Sequence, residues 1–283
     1  MNPLVSAVVP TKNSVRTIET CLRSIKHQTE PRIELIVVDN NSDDGTWEVA
    51  QRFADVALQA GPERSAQRNL GVRTAKGEWV LWVDADMELP LDVVANALAA
   101  AERTQADGVF APEVTTGEGF WTACRALERS CCTGELLVQA PRLVRRSYLL
   151  ETGGFLESLT GTEDAELRSR MYADGLALVA IPDLIIHHEG RLTYFGTLRK
   201  RYYYGRGLAH YGRTHPGALS GQARAQVRAY ARHWRLLARR PITAAGAGLL
   251  RLGELAAYTA GSLSGRVETH HRPEERDGHQ AVR

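Results

Sequence analysis

Short β-branched runs alternate with segments of helical period over the first 111 residues, and several of those runs end in polar clusters. Leu4–Val9 reads as a buried strand closed by Pro10. Val15, Ile18, Cys21, Leu22 and Ile25 then recur at helical spacing, with Asn13 or Ser14 able to cap the start. Ile33–Val38 is a second strand, ending at Asp39, and the turn-forming NSDDGT precedes a helix to about Ala54. A short strand at Val56–Leu58, a helix over Arg64–Thr74 and a strand over Glu78–Val83 follow. A helix over Leu91–Arg103 turns Val93, Val94, Ala97, Leu98 and Ala101 inward, and Val109–Ala111 is another strand. This alternation demands an α/β fold, a mostly parallel sheet wrapped by helices on both faces. Ligands of such sheets bind beyond the carboxyl ends of the strands. Three polar clusters fall there: Pro10-Thr11-Lys12-Asn13, Asp39-Asn40-Asn41 and Asp84-Ala85-Asp86.

The third cluster sits in GEWVLWVDADMELP, where an apolar strand opens onto two carboxylates. Unpaired, they resist desolvation and repel each other. In an extended chain Asp84 and Asp86 lie on one side, roughly 6–7 Å apart at Cα. A hard divalent cation whose shell is completed by phosphate oxygens suits that spacing, and so does a cap or a solvated loop. Asp39 is placed to accept hydrogen bonds from a ribose or base edge, or to close an Asx-turn. The loop after the first strand, VVPTKNSVRT, has no glycine, so the dinucleotide fingerprint is absent and a mononucleotide is the better ligand.

A second acidic cluster, GTEDAELRSRM, puts Glu163 and Asp164 in the first turn of a helix, where the dipole favours negative charge. ETGGF before it is a turn, and Leu176–Ile181 after it is a strand leading to IIHHEG. His187 and His188 can complete a metal shell, face an acidic patch or simply pack.

These segments together resemble the GT-A fold glycosyltransferases of family 2, an inverting group that uses nucleotide-diphospho-sugars. The resemblance rests on SAVVPTKN, ELIVVDNNSDDGT, SAQRNLGVRTAKGEWVLWVDADM, GGF and TEDAELRSR, in that order, over about residues 4–190. It implies that Pro10, Thr11, Asn13 and Asp39 line the nucleotide-sugar pocket with Arg68 nearby. It further implies Asp84 at the ribose or metal-bound water, Asp86 as ligand to Mn²⁺ or Mg²⁺, Asp164 as general base and His187 as an added metal or diphosphate contact. Two positions depart from the pattern: Lys12 replaces an aromatic after Pro-Thr, and Ala165-Glu166 replaces Trp-Asp after the acidic pair. The expected reaction is transfer of a sugar to an acceptor hydroxyl, with a lipid-linked acceptor among the candidates. A metal-dependent phosphohydrolase or nucleotidyltransferase built on the D-x-D, and a nucleotide-sugar-binding subunit without turnover, are the alternatives.

Charge divides the chain. Arg191 to Gly253 holds 13 Lys or Arg and no Asp or Glu, whereas residues 1–190 hold 18 basic and 28 acidic groups. The expected organisation is a GT-A catalytic domain over 1–190, a basic amphipathic helical extension over 191–265 and a polar, disordered tail over 266–283. In the extension, Arg224, Arg228, Arg232 and Arg235 share one helical face, and Val227, Ala231 and Trp234 lie near another. Tyr202, Tyr203, Tyr204 and Tyr211 interleave with cations, a mixture suited to an anionic membrane surface or to packing on the acidic body. Nucleic acid is not an expected partner, because the acidic body carries no recognisable module for it. The start lacks a charged leader with a long apolar segment, and no run reaches the length of a span. Four cysteines without CxxC spacing read as free thiols in a reducing compartment. The expected location is cytoplasmic, peripheral at the inner face of the membrane.

Overall fold

The computed structural model describes residues 3–270. Its main sheet uses β1 (Val5–Thr11), β2 (Ile33–Asp39), β3 (Val56–Gln59) and β4 (Trp79–Trp82). A second sheet takes β5 (Met87–Glu88), β7 (Glu113–Gly117) and β10 (Ile185–Gly190), while β6 (Gly108–Phe110), β8 (Pro141–Arg145) and β9 (Leu178–Ala180) complete the first. The seven strands run β3-β2-β1-β4-β8-β6-β9, and the small sheet runs β5-β10-β7. Strand β8 is antiparallel to both neighbours, and the other pairings of the large sheet are parallel.

Side chains alternate across this sheet as the pleat requires. Val5, Ala7 and Val9 of β1 face one core with Leu35, Val37, Trp79 and Leu81. Helices α1 (Ile18–Lys26), α2 (Thr46–Phe53) and α4 (Val93–Thr104) cover that core. Val8, Ile36, Val38, Val80 and Trp82 face the opposite core, beneath α3 (Arg64–Thr74), α6 (Arg146–Glu151) and α7 (Glu163–Ala173). Gly71 lets α3 come down onto β1, since a Cβ there would collide with Val8. Helix α5 (Phe120–Cys132) and a 3₁₀ turn at Leu136–Val138 fill the stretch before β8. All four cysteines are free and buried.

Two local expectations shift. Strand β1 continues through Pro10 to Thr11, which pairs with Asp39. Proline is tolerated there because β4 ends opposite Val8 and leaves β1 with an open edge. Helix α1 starts only at Ile18, and Val15 is exposed. The preceding residues instead brace the loop after β2: Asn13 N donates to Ser42 Oγ and Ser14 N to Thr46 Oγ1.

The basic segment forms α8 (Tyr194–Thr214), α9 (Ala218–Arg232), α10 (Trp234–Ala238) and α11 (Pro241–His270). Helices α8 and α11 cross closely where Gly205 meets Gly261 and the backbone of Tyr258, an approach no larger residue would permit. Arg125 and Glu128 of α5 join Arg201 of α8 and Arg251 and Glu254 of α11 in a mostly buried ion network, which ties the extension to the body. The inward residues of α9 are Ala225 and Ala229, while Val227 and Trp234 are exposed with Arg224, Arg228, Arg232 and Arg235. A break at His233 separates Arg235 and Trp234 from α9, so the expected arginine face is not one continuous helix. Helix α11 runs on through 266–270, which composition had assigned to the tail; the rest of that tail, 271–283, lies outside the described residues. Among the described residues no helix is long and apolar enough to cross a membrane.

Candidate active site

A cleft of about 870 Å³ opens at the carboxyl ends of β1, β2 and β4, where the sequence placed its polar clusters. Pro10, Thr11 and Asn13 line it, with Asn40, Asp84, Asp86 and His188. Lys12, Arg16, Arg64 and Arg191 add positive charge to its walls.

The two carboxylates of D-x-D do not stay side by side. The chain leaves β4 at Trp82 and turns, with Met87 N donating to Asp84 O, so the extended spacing expected from the sequence does not hold. Each carboxylate finds its own cation. Asp84 accepts from Arg68 Nη2 at 2.8 Å and lies 3.6 Å from Arg142 Nη1 and 3.9 Å from Arg64 Nη1. Burial pushes the Asp84 carboxyl up, and Arg68, Arg64 and Arg142 outweigh it, holding the group well below the usual carboxylate range. Asp86 remains 42% exposed and meets His187 Nε2 at 3.1 Å.

Strand β10 brings His187 to Asp86, while its neighbour His188 turns to Glu88 Oε2 at 2.8 Å, as alternation along a strand dictates. His187 Nδ1 lies 3.2 Å from Glu113 Oε2. Burial pulls the His187 imidazole down, but its hydrogen bonds to Asp86 and Glu113 prevail and raise it to about 9. Glu113 is itself enclosed: burial raises it, and Arg142, His187 and Arg129 together drive it below the carboxylate range.

Arg68, fully buried on α3, joins the two acidic clusters. Its Nη2 holds Asp84, and its Nη1 donates to Asp164 Oδ1 at 2.7 Å. The guanidinium stacks 5.0 Å from the Phe155 ring, which packs edge-on against Trp82. Arg64, one turn earlier, donates to the buried Glu163 through Nε at 2.9 Å. Asp164 itself is 29% exposed at the start of α7.

Asp39 makes the local turn contacts that the sequence allowed. It is fully buried, and its carboxylate accepts from Ser42 N at 2.8 Å and Ser42 Oγ at 2.5 Å. That is the Asx-turn alternative. In this conformation Asp39 shapes the loop behind the cleft, and the adjacent Asn40 lines it.

Several site residues escaped sequence reading. Glu113, Arg129 and Arg142 come from β7, α5 and β8, a region without a decodable motif; only the tertiary pairing with Asp84 and His187 reveals them. Tyr203 and Tyr204 form part of the cleft wall instead of serving only an outer surface. Tyr203 Oη donates to Glu63 Oε1 at 2.6 Å, and Tyr204 closes over Gly161.

The site contains one protein group suited to a divalent cation, the Asp86 carboxylate, and beside it the His187 imidazole, which would ligate only on giving up the proton it shares with Asp86. Among the described residues no cluster of three His, Cys, Asp or Glu is arranged for a metal. A cation here would therefore draw further ligands from phosphate and water, a common arrangement for Mg²⁺.

Residues 6–141 match the family described as Glycosyl transferase family 2. Glycosyltransferase AglE of Haloferax volcanii is 26% identical over 216 residues, covering 70% of each chain. The uncharacterized glycosyltransferase EpsJ of Bacillus subtilis is 34% identical over 113 residues, 38% of this chain and 33% of that protein. Among solved structures, mannosyltransferase PcManGT of Pyrobaculum calidifontis, in complex with GDP-Man and Mn²⁺, superposes with a TM-score of 0.60 at 22% identity, covering 96% of this chain and 82% of that one. TarS of S. aureus gives 0.57 at 18% identity, covering 97% and 95%. With the sheet order, the cleft and these matches in agreement, residues 6–141 form a glycosyl transferase family 2 domain, and the chain has the GT-A fold.

Proposed function

We propose that the protein is an inverting transferase that moves a sugar from a nucleoside-diphosphate donor to an acceptor hydroxyl. The observation that carries this reading is the Arg68 bridge, which fastens the candidate base Asp164 to the D-x-D turn. One guanidinium thereby couples the acceptor side to the donor side.

The donor's nucleoside would lie along Pro10, Thr11, Asn13 and Asn40, with Asp39 holding the loop that presents them. Lys12, Arg16 and Arg191 supply positive charge for the diphosphate. PcManGT with GDP-Man and TarS with UDP-GlcNAc share this fold and support a nucleotide-sugar as donor class. Asp86 and His187 would hold Mn²⁺ or Mg²⁺, which when bound neutralises charge on the departing diphosphate.

Asp164 would take the proton from the attacking hydroxyl. Its hydrogen bond to Arg68 aims the carboxylate. One base opposite one leaving group makes a single displacement, hence inversion. Tyr203 and Tyr204 offer the flat, amphipathic surface that a sugar face prefers.

The helical extension supports a membrane-bound acceptor. Ile242, Leu249, Leu252, Leu255 and Leu263 of α11 are all more than half exposed. At 100° per residue they fall on one side of the helix. Exposed Arg228, Arg232, Arg235, Arg239 and Arg240 precede it in the chain. An apolar helix face with nearby arginines matches an anionic lipid surface, so a lipid-linked sugar at the cytoplasmic leaflet is the proposed acceptor class.

The test is release of nucleoside diphosphate from a panel of UDP-, GDP- and TDP-sugars with Mn²⁺, with and without lipid-linked acceptors. Acceptor-dependent release is expected. Inorganic phosphate or pyrophosphate as the product would overturn the reading in favour of a phosphohydrolase or nucleotidyltransferase.

A further inference from the structure

Asp84 and Asp86 rest on different cations, and two of those cations, Arg142 and His187, share one further carboxylate, Glu113. On the Asp86 side, His187 presents Nε2 to Asp86 at 3.1 Å and Nδ1 to Glu113 Oε2 at 3.2 Å. On the Asp84 side, Arg142 Nη2 donates to Glu113 Oε1, while its Nη1 lies 3.6 Å from Asp84 Oδ2. Arg129 Nη1 sits between, 2.8 Å from both Glu113 Oε2 and His187 Nδ1, and its Nη2 donates to Glu189 at 3.1 Å.

Strand register explains the meeting. Strand β10 pairs with β5 and with β7, so His187 lies opposite Met87 and Ile185 opposite Glu113. Ile185 and His187 are two apart and share a face, which makes Glu113 the diagonal neighbour of His187 on that face. Strand β8 belongs to the other sheet, and its pairing of Leu143 with Leu81 carries Arg142 to the end of β4, beside the Asp84 turn. Through Glu113 the small sheet, which bears His187, therefore grips the large one where the D-x-D turn begins. Arg142 and Glu113 are both mostly buried, so solvent and salt weaken the pair little.

We propose that Glu113 is a positioning residue for the cation site: by holding Arg142 and His187 at once, it fixes the D-x-D turn so that Asp86 can receive a divalent cation carried by the donor's diphosphate. This rests on the reading of the cleft as the donor site. Glu113 reaches Asp84 and Asp86 only through its two partners. His187 keeps this support whether it holds Asp86 or, its proton released, meets the cation itself, because Glu113 grips the opposite ring nitrogen. The role needs a carboxylate, whose two oxygens face two donors; an amide has one acceptor oxygen.

The experiment is calorimetric titration of the full chain with UDP and with GDP, each in Mn²⁺ and in EDTA; the ratio of the two affinities reads what the cation contributes. Wild type is expected to bind more tightly with Mn²⁺. In Glu113→Gln that gain should shrink about tenfold or more, while affinity in EDTA is kept. An equal loss under both conditions would mean general damage to the cleft and overturns the proposal. His187→Asn should also reduce the gain, and adding Glu113→Gln to it should cost less than in wild type, since the two residues act along one path. Fully additive losses would place Glu113 outside that path and overturn the assignment. Glu113→Asp keeps the charge beside Arg129 and Arg142, so it keeps the test valid should the amide variant misfold. Aspartate is a methylene too short to hold both partners, and the same reduced gain is expected. An undiminished gain in either folded variant overturns the proposal. Wild type that binds neither nucleotide defeats the donor reading itself, whereas wild type that binds equally well in Mn²⁺ and EDTA leaves that reading standing and defeats this one.

Discussion

Arg68 donates to Asp164 across 2.7 Å while wholly enclosed by protein, and its other terminal nitrogen holds Asp84 at 2.8 Å. A planar, forked cation can span two carboxylates in this way; a point charge cannot. Arg68→Lys should therefore keep the fold's charge balance yet lose one of the two contacts, lowering turnover by roughly tenfold or more. Arg68→Met should leave Asp84 to Arg142 and Arg64 and cost about 3–5 kcal/mol. Denaturant titration and donor turnover check the pair of variants; equal turnover in Arg68→Lys and wild type would refute the bridging role.

Asp164→Asn preserves shape and removes the proton acceptor. Turnover should drop on the order of 10²–10⁴ while affinity for the nucleotide-sugar is largely kept. Separate measurement of kcat and donor binding decides it: loss confined to binding would assign Asp164 to the donor instead.

Glu254 sits among Arg125, Arg201 and Arg251 with only 1% of its side chain exposed. Burial pushes its carboxyl up, but the three arginines prevail and hold it at about 2, against 4.5 when free. A carboxyl lowered by folding contributes stability in full above its unfolded value and loses it as pH falls through the folded value. The difference in unfolding free energy between wild type and Glu254→Gln should thus be largest above about pH 4.5 and shrink as pH falls towards 2. Urea titrations at several pH values measure that gap. A gap that widens on acidification would contradict the network.

Leu252 and Leu255 project from α11 at 68% and 65% exposure. Replacing both with glutamate removes no buried contact, so the fold should persist. Flotation with anionic vesicles should be lost in the double variant and retained in wild type. Wild type that stays with the soluble fraction would argue that this face meets something other than lipid.

Gly71→Ala would push a methyl group into Val8 at the contact of α3 with β1. Overpacking of this kind costs about 1–3 kcal/mol. Because α3 carries Arg68, turnover should fall together with melting temperature, which calorimetry and the donor assay report side by side.

Periodicity and turn residues were enough to read β1, β2 and β4 with the helices between them, because hydrophobic alternation is local and the pleat enforces it. The helix carrying Val93, Val94, Ala97, Leu98 and Ala101 follows the same logic and buries those residues. The polar clusters at strand ends were legible too, since a parallel sheet places its strand ends on one side. What each carboxylate faces was not. Asp84 and Asp86 are neighbours in sequence, yet a turn sends one to Arg68 and the other to His187, partners 16 and 101 positions away. Glu113, Arg129 and Arg142 belong to no local pattern and acquire meaning only when β7, α5 and β8 close around the turn. The basic segment shows the same division. Its helical period and charge lie open in the sequence, while the ion network of Arg201 and Glu254 and the seating of Tyr203 on the cleft arise only from packing. Local sequence sets the backbone's preferences; the pairing of buried charges over long separations is decided by which elements the fold presses together.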